Sequence, residues 1–388
     1  MKTLHIGDLK VRVPIIQGGM GVAVSLSGLA SAVANEGGIG IISSAAIGML
    51  MPGYSKDFKG ANQLALRQEI QKAKEKTKGI IGVNIMVALT DYTEHLEVAV
   101  ESGADLIISG AGLPLKMPDI LIKDKTGKNK TKFLPIASSA RGAKLIFNYW
   151  ADHYRVIPDG IVIEGPLAGG HLGFKKAQIE DDSFSLERLV PEVVEIMKPF
   201  EQRFGKNIPV IAGGGVYSGA DMYKIMALGA SGVQIATRLV PTFECDASDE
   251  FKEAYVNSKE EDLMLIQSPV GLPGRAIRNK FLDDVAAGKK TPIKCPWKCI
   301  KTCDYKEAPY CISLALINAS KGNLKHGFVF AGSNAYRTTK VQSVKAVFDA
   351  MAMEYKTAAG NSNRKHSPIR PTHIDRHFTK YPRVKKAV

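Results

Sequence analysis

The sequence predicts an α/β fold, a (β/α)8 TIM barrel with an inserted lid or subdomain after strand eight. Eight short apolar runs alternate with segments of helical periodicity, and this is the strand count of such a barrel. Several runs are apolar throughout, as expected for parallel strands that are covered on both faces. The chain has 388 residues, whereas a typical barrel needs about 250, which leaves room for an insertion.

The elements follow each other regularly along the chain. The candidate strands are residues 11–17, 38–43, 80–87, 104–109, 133–138, 160–164, 208–212 and 232–236. The candidate helices are residues 27–35, 63–76, 93–101, 141–154, 186–204 and 219–228. We expect a barrel over residues 1–242, a lid or insert over 243–324, a return to the barrel over 325–358 and a basic tail over 359–388. The charged stretch 117–132 is expected to be a solvated loop.

Composition excludes several classes of function. Hydrophobic residues make up 45% and charged residues 23% of the chain, which is typical of globular proteins. No apolar run could span a bilayer and the first residues do not resemble a signal peptide, so we expect no membrane partner. Five cysteines without an export signal favour a reduced, cytoplasmic setting.

The net charge of +14 is concentrated near the end of the chain. From Asn361 onward there are eight Lys or Arg residues and one Asp, so this stretch contributes half of the excess. No nucleic-acid-binding motif accompanies it, and we expect a small-molecule substrate and no nucleic-acid partner. A homodimer is compatible with the sequence.

A glycine-rich turn late in the chain predicts a phosphate site. Residues 208–238 have the pattern of strand, glycine turn, helix and strand, with Gly213, Gly214 and Gly215 at the first strand end. Residues without a Cβ let backbone N–H groups approach an anion. Thr237 and Arg238 end the second strand and could grip the same phosphate, as in the late loops of a barrel. A tight turn that binds nothing is the alternative.

Polar or glycine residues also follow the earlier strands. The first strand ends in "PIIQGGMG", with Gln17, Gly18, Gly19 and Met20, where a flat ring could stack close to the backbone. The third and fourth strands offer Asn84 and Ser109. An amide inside an apolar strand is costly unless it is hydrogen-bonded, so we expect Asn84 to contact a ligand; a purely structural hydrogen bond is the alternative.

The sixth strand and its loop, "IVIEGPLAGGHLGF", give the sharpest single site. Glu164 ends the strand, and His171 lies between Gly170 and Gly173. A histidine in such a loop has little packing role, and its ordinary pKa near neutrality suits a general base or hydrogen-bond donor. We therefore expect His171 to be catalytic, although it could also serve only to hold the loop.

These motifs, in this order, resemble the nitronate monooxygenase (2-nitropropane dioxygenase) family and the related flavin-dependent enoyl-ACP reductase. The resemblance rests on "PIIQGGMG", "GVNIMVA", "EGPLAGGHLGF", "VIAGGGV" and "GVQIATR". It implies a TIM barrel that binds FMN, with His171 near the flavin. It implies ring or ribityl contacts at Gly19, Met20, Asn84 and Gln234. It places the phosphate at Ala212, Gly213, Gly214, Gly215, Ala236 and Thr237.

The resemblance implies an FMN-dependent oxidoreductase but leaves its partner open. A nitronate monooxygenase reduces its flavin with an alkyl nitronate and reoxidises it with O2, and we take this as the leading hypothesis. The alternative is an enoyl-thioester reductase, which uses NAD(P)H; the "QGGM" sequence favours it. An alternative of another class is a flavin-binding protein without turnover. Because the flavin carries the chemistry, the shared motifs do not separate them.

Four cysteines fall within the stretch "CPWKCIKTCDYKEAPYC". Cys295, Cys299, Cys303 and Cys311 have the spacing C-x3-C-x3-C-x7-C. On a helix, Cys299 and Cys303 would share one face. Converging thiolates could hold zinc or an iron–sulfur cluster, and a cluster beside FMN would favour the reductase. The alternative is a set of reduced, partly buried thiols.

Overall fold

The computed structural model describes residues 1–117, 119–122, 130–289 and 295–365. Its strands are β1 (Leu4–Ile6), β2 (Leu9–Val11), β3 (Ile15–Gln17), β4 (Ile39–Ser43), β5 (Ile80–Met86), β6 (Leu106–Gly110), β7 (Lys132–Ala137), β8 (Ile161–Glu164), β9 (Gly170–His171), β10 (Val210–Gly213), β11 (Gly232–Ile235), β12 (Leu263–Gln267) and β13 (Pro273–Ile277). Its helices are α1 (Ser27–Asn35), α2 (Phe58–Lys76), α3 (Tyr92–Glu101), α4 (Asp119–Ile122), α5 (Ala140–Tyr154), α6 (Lys176–Ile179), α7 (Leu186–Phe204), α8 (Gly219–Ala227), α9 (Asp249–Val256), α10 (Lys280–Ala286), α11 (Ile312–Ser320) and α12 (Val344–Lys365).

Eight parallel strands form a closed barrel, which confirms the predicted fold class. The order around the barrel is β3, β4, β5, β6, β7, β8, β10 and β11, and β11 pairs with β3 to close the ring. Each of the eight predicted runs contributes one barrel strand. Strand β4 is buried at all five positions, as its uninterrupted apolar sequence predicted.

The prediction of one continuous strand over residues 11–17 is wrong. Val11 belongs instead to a hairpin, where β2 pairs antiparallel with β1. The barrel strand β3 begins only at Ile15. Pro14 lies between the two strands, and its missing N–H and fixed φ interrupt the run.

The inside of the barrel is filled by aliphatic side chains. Ile16, Ile39, Ile41, Leu106, Ile108, Leu134, Val162 and Ile211 form one cluster with Leu4, Ile6 and Val11 of the β1–β2 hairpin. Since these hairpin residues precede the first barrel strand, the hairpin closes the amino-terminal end of the barrel. The barrel is therefore a packed core, and the opposite end, where the strands terminate, is left for a site.

The residues after β11 cover part of that opposite end. Strands β12 and β13 pair antiparallel with each other, and β13 also pairs with β9, in the loop after β8. Helices α9, α10 and α11 lie in the same part of the chain. The division into domains stays a prediction, but α12 continues to Lys365 and so includes residues 359–365 of the predicted basic tail.

Some predictions fall on residues that the structure does not describe. The rest of the basic tail, residues 366–388, lies outside the described residues, as do residues 118 and 123–129 of the predicted charged loop. Of the helices that the structure describes, none is both long and apolar enough to cross a bilayer. The cytoplasmic setting and the homodimer stay predictions.

Candidate functional site

A cavity at the carboxyl end of the barrel is lined by most of the residues expected there. The predicted residues that line it are Gly18, Gly19, Met20, Asn84, Glu164, Gly170, His171, Gly214, Gly215, Gln234, Ala236 and Thr237. They come from the ends of strands β3, β5, β8, β10 and β11 and from β9. Parallel strands all end at the same rim, which explains how residues so distant in sequence meet.

One wall of the cavity is bare backbone from the end of β3. A Cβ on Gly18 would lie 3.0 Å from the Ala236 side chain, and a Cβ on Gly19 would overlap with the Asn84 side chain. The backbone N–H of Met20 donates to the Ser25 hydroxyl at 3.1 Å. Packing against these neighbouring side chains therefore requires glycine at both positions, and the contact of this wall with a ring stays a prediction.

A second wall of the cavity, which we call the cradle, consists of Gly214, Gly215 and Thr237. Gly214 and Gly215 adopt φ angles of +86° and +115°, which only glycine adopts readily. Among the described residues we find no hydrogen-bond acceptor for the N–H groups of Gly214, Gly215 or Thr237. Asn334 donates from Nδ2 to the Gly215 carbonyl at 3.0 Å and steadies this turn. Convergent N–H groups of this kind suit an anion.

Arg238 is not among the residues that line the cavity and it is paired elsewhere, so its contact with a phosphate stays a prediction. Its Nη1 lies 3.2 Å from Glu354 Oε2 on α12 and donates to the Tyr217 carbonyl. The first turn of α8 is also occupied, because its N-cap Ser218 accepts from the Asp221 N–H, Asp221 accepts from the Ser218 N–H, and Glu354 accepts from the Gly219 N–H at 2.6 Å. The helix end therefore already has its acceptors, which leaves the loop N–H groups as the candidate anion site.

Gln234 carries an unpaired polar atom toward the cavity. Its Oε1 is buried and has no hydrogen-bond partner within the described part of the chain, although the residue lines the cavity. Leaving a buried carbonyl unpaired costs about 1–3 kcal/mol. A donor from a bound molecule would remove that cost.

His171 lies on β9 against the insert. Its Nε2 is 2.7 Å from the Ser268 hydroxyl, and its ring packs edge-on against Phe330 at 5.0 Å. No partner for Nδ1 is found among the described residues. Burial lowers the pKa of His171 to about 4, so the imidazole is neutral at physiological pH with one ring nitrogen available.

Glu164 is the second titratable group of the cavity. It ends β8 and lines the cavity, and no hydrogen bond to its carboxyl group is found within the described residues. Burial raises the pKa of this carboxyl to about 7. Near neutral pH it therefore exchanges between a neutral acid and an anion.

Four predicted residues do not line the cavity. The Gln17 amide is fully buried and bridges to β4, where it donates to the Ile41 carbonyl at 2.9 Å and accepts from its N–H at 3.1 Å. The Ser109 hydroxyl donates to the Ile85 carbonyl and contacts the Tyr92 hydroxyl. Ala212 and Gly213 lie within β10. These side chains support the barrel wall.

Several site residues escaped the sequence analysis. Arg275 on β13 is buried and donates from Nη1 to the carbonyls of Pro166 (2.8 Å) and Ala168 (2.6 Å), which holds the His171 loop. Asp91 also lines the cavity and lies 3.1 Å from His95 Nε2. The i, i+4 spacing of these two residues was the only signal in the sequence.

Comparison with known proteins agrees with this site. The model of the nitronate monooxygenase family matches residues 2–354. The chain belongs to this family.

Individual relatives support the same family. A "Probable nitronate monooxygenase" from Staphylococcus aureus is 28% identical over 310 residues, which are 72% of this chain and 79% of that protein. FabK from Thermotoga maritima is similar in structure, with a TM-score of 0.70, 25% identity and coverage of 92% and 96% of the two chains. Nitroalkane oxidase from Streptomyces ansochromogenes has the same fold, with a TM-score of 0.68, 20% identity and coverage of 91% and 98%.

The family confirms the prediction of a flavin-dependent oxidoreductase. The geometry fits a flavin nucleotide in this family member. The cradle offers N–H groups to a phosphate, the bare main chain after β3 lines the cavity, and Gln234 offers an unpaired acceptor. The individual contacts between these residues and the cofactor stay predictions.

The four cysteines surround a second, small cavity. Residues 295–311 form turns and irregular backbone, so Cys299 and Cys303 do not share a helix face. Nevertheless Cys295, Cys299, Cys303 and Cys311 all line this cavity, and all four are free thiols. Among the described residues, no three or more His, Cys, Asp or Glu side chains are placed to hold one metal ion.

Glu164→Gln should change the pH dependence of stability in the flavin-free protein. Because the folded pKa of Glu164 is raised, its contribution to stability is present at low pH and is lost as pH rises through about 7. We expect the variant to match the wild type at pH 5 and to exceed it by roughly 1–3 kcal/mol at pH 8.5. Urea unfolding at both pH values measures this difference.

The exposed Glu97→Gln provides the control for that experiment and should show no such pH dependence. Equal urea midpoints for wild type and Glu164→Gln at pH 8.5 would show that the carboxyl is not desolvated.

Proposed function

We propose that this protein binds FMN at the barrel mouth and oxidises alkyl nitronates, with O2 as the acceptor. The observation that carries the proposal is the buried, unpaired Oε1 of Gln234 beside the free N–H groups of Gly214 and Gly215. A flavin nucleotide would satisfy both, with its ring near Gln234 and its phosphate in the cradle. The family match and the name of the Staphylococcus aureus relative support the choice of substrate.

The protein groups would divide the work of binding between the two walls. Gly214, Gly215, Ala236 and Thr237 would hold the phosphate through backbone N–H groups and the threonine hydroxyl. Gly18, Gly19, Met20, Asn84 and Gln234 would contact the ring and the ribityl chain. When bound, FMN supplies the two-electron chemistry that no side chain here can provide.

His171 would act on the substrate as a base or a hydrogen-bond donor. Its pKa is lowered to about 4 by burial, so the ring stays neutral and can serve in either role according to its tautomer. The Ser268 hydroxyl, 2.7 Å from Nε2, can donate to that nitrogen or accept from it, so it is compatible with either tautomer. The unpaired Nδ1 is then the atom that exchanges a proton or a hydrogen bond with the substrate.

Glu164 would control the charge of the cavity. A nitronate is an anion, and a carboxylate beside it would oppose binding. With a pKa raised to about 7 by burial, Glu164 is neutral below neutral pH and leaves the cavity without that opposing charge. Nitronate binding is therefore favoured on the acidic side of pH 7.

A second function is an NAD(P)H-dependent enoyl-thioester reductase, and the structural similarity to FabK favours it. The two chains share 25% identity over almost their whole length, at a TM-score of 0.70. The distinction lies in the electron donor and acceptor, which the shared cavity does not fix. NAD(P)H oxidation that depends on an enoyl thioester, without O2 uptake on nitronate, would support this function instead.

Gln234→Leu should separate FMN binding from folding. The flavin-free variant loses an unpaired buried carbonyl, so its stability should be equal to the wild type or about 1 kcal/mol higher. Its Kd for FMN should nevertheless rise roughly tenfold, because one hydrogen bond to the cofactor is lost. Urea unfolding and quenching of FMN fluorescence measure the two quantities.

The exposed Gln71→Leu is the matched control and should change neither quantity. An unchanged FMN affinity in Gln234→Leu would mean that this side chain does not face the cofactor.

His171→Ala should keep FMN and lose turnover. Removing a general base or donor costs about 10²–10⁴ in rate, whereas the backbone N–H groups of the cradle are not changed by this substitution. O2 uptake with an alkyl nitronate measures turnover, and the absorbance of bound FMN measures retention. His153→Ala changes an exposed histidine on α5 and is the control.

Retained turnover in His171→Ala would remove this residue from the mechanism. Retained FMN with no turnover in the wild type on any nitronate or on NAD(P)H would support a flavin-binding protein without catalysis.

A further inference from the structure

The four clustered cysteines have no role in the flavin site as described. Cys295, Cys299, Cys303 and Cys311 line one small cavity together with Lys298, Tyr305 and Tyr310. Cys299 is buried and the other three are partly buried, and none is in a disulfide. Packing alone does not require four sulfur atoms around one void, because small aliphatic residues fill a core without reactive groups.

The backbone that carries these cysteines is anchored on both sides. Ile300 forms an antiparallel bridge with Leu89, and the Lys301 N–H binds the Ala88 carbonyl at 2.8 Å. Trp297 stacks on Phe58 at 5.5 Å. Cys311 is the residue before the first turn of α11. An irregular loop held in this way presents side chains from several directions to one cavity, as a site with several ligands requires.

The cavity that the four cysteines line also contains a cation, Lys298. A bound metal deprotonates its thiols outright, and Lys298 beside the cavity would offset part of the resulting negative charge.

The placement of the sulfurs argues against a single zinc ion. Zinc needs all of its ligands within about 2.3 Å of one point, and no three or more of the described His, Cys, Asp or Glu side chains are placed to hold one ion. An iron–sulfur cluster instead takes four cysteines at different iron atoms, so its ligands lie further apart around a central body. Four cysteines around one void meet that requirement.

We propose that Cys295, Cys299, Cys303 and Cys311 bind an iron–sulfur cluster. The proposal does not depend on the proposed nitronate reaction, since the cysteine cavity is a separate void. The two voids are nevertheless adjacent, because Cys299, Ile300 and Ile312 line both of them. The cluster would therefore share a wall with the proposed flavin cavity.

The test is a metal and sulfide analysis of the full chain. The protein is purified without oxygen, reconstituted with ferrous iron and sulfide, and freed of excess reagents. We expect about four irons per chain, as in a [4Fe–4S] cluster, with an equal amount of acid-labile sulfide. We also expect an electron paramagnetic resonance signal after reduction with dithionite. These readouts do not require bound flavin or turnover, so they can succeed even if the nitronate reaction fails.

Variants locate the cluster. Cys303→Ser and Cys311→Ser should each lose most of the iron and sulfide, whereas Cys245→Ser should retain both. Cys245 is the matched control because it is the fifth cysteine of the chain, and it lies buried against the Val24 carbonyl, away from the loop. Circular dichroism verifies that each variant folds.

A second measurement needs no variant. In the reconstituted wild type, the four loop cysteines should be protected from alkylation, and removal of iron with a chelator should expose them, as mapped by mass spectrometry. Stoichiometric zinc without sulfide, or iron that stays bound in both serine variants, would overturn the proposal. So would loop cysteines that are alkylated equally before and after iron removal.

Discussion

The closure of the barrel by β3 and β11 is the constraint on which the site depends. Ile15, Ile16 and Gln17 pair with residues 233–235, and the Gly18 N–H continues the ladder by binding the Ile235 carbonyl at 2.8 Å. This pairing joins the first and last strands of the barrel, which are more than 200 residues apart in sequence. It places the bare backbone after β3 beside Ala236 and Thr237, so that this pairing brings one wall of the cavity next to part of the other.

The groups that line these walls lower the stability of the empty protein, and a bound ligand would restore part of it. Gln234 keeps a buried acceptor without a partner, and His171 and Glu164 are both held away from their ordinary pKa values by burial. Such groups weaken an empty protein, and they cluster where function requires them. Arg275 offsets part of this cost, because it ties the loop that carries His171 to β13 through two carbonyl groups.

The sequence predicted the barrel and the cavity well because both leave local signals. Strands covered on both faces are apolar throughout, and glycines mark close approach of the backbone. Gln17 and Ser109 were assigned to the cofactor because they end strands, but position along a strand does not reveal which groups a polar side chain will bind. Arg275 and the Asp91–His95 pair act through contacts distant in sequence, which have no local pattern. The cysteine loop converges without the helix that its spacing suggested, because bridges to Leu89 and Ala88 shape it.

The proposed reaction requires that FMN at this barrel mouth takes electrons directly from a nitronate. The most direct test is an anaerobic absorbance titration of the FMN-loaded protein with an alkyl nitronate and, separately, with NADH and NADPH. We predict that the nitronate bleaches the flavin bands and that admitting O2 restores them, while neither nicotinamide does so at a comparable rate. Rapid bleaching by a nicotinamide with no response to nitronate would rule out nitronate oxidation and identify a reductase.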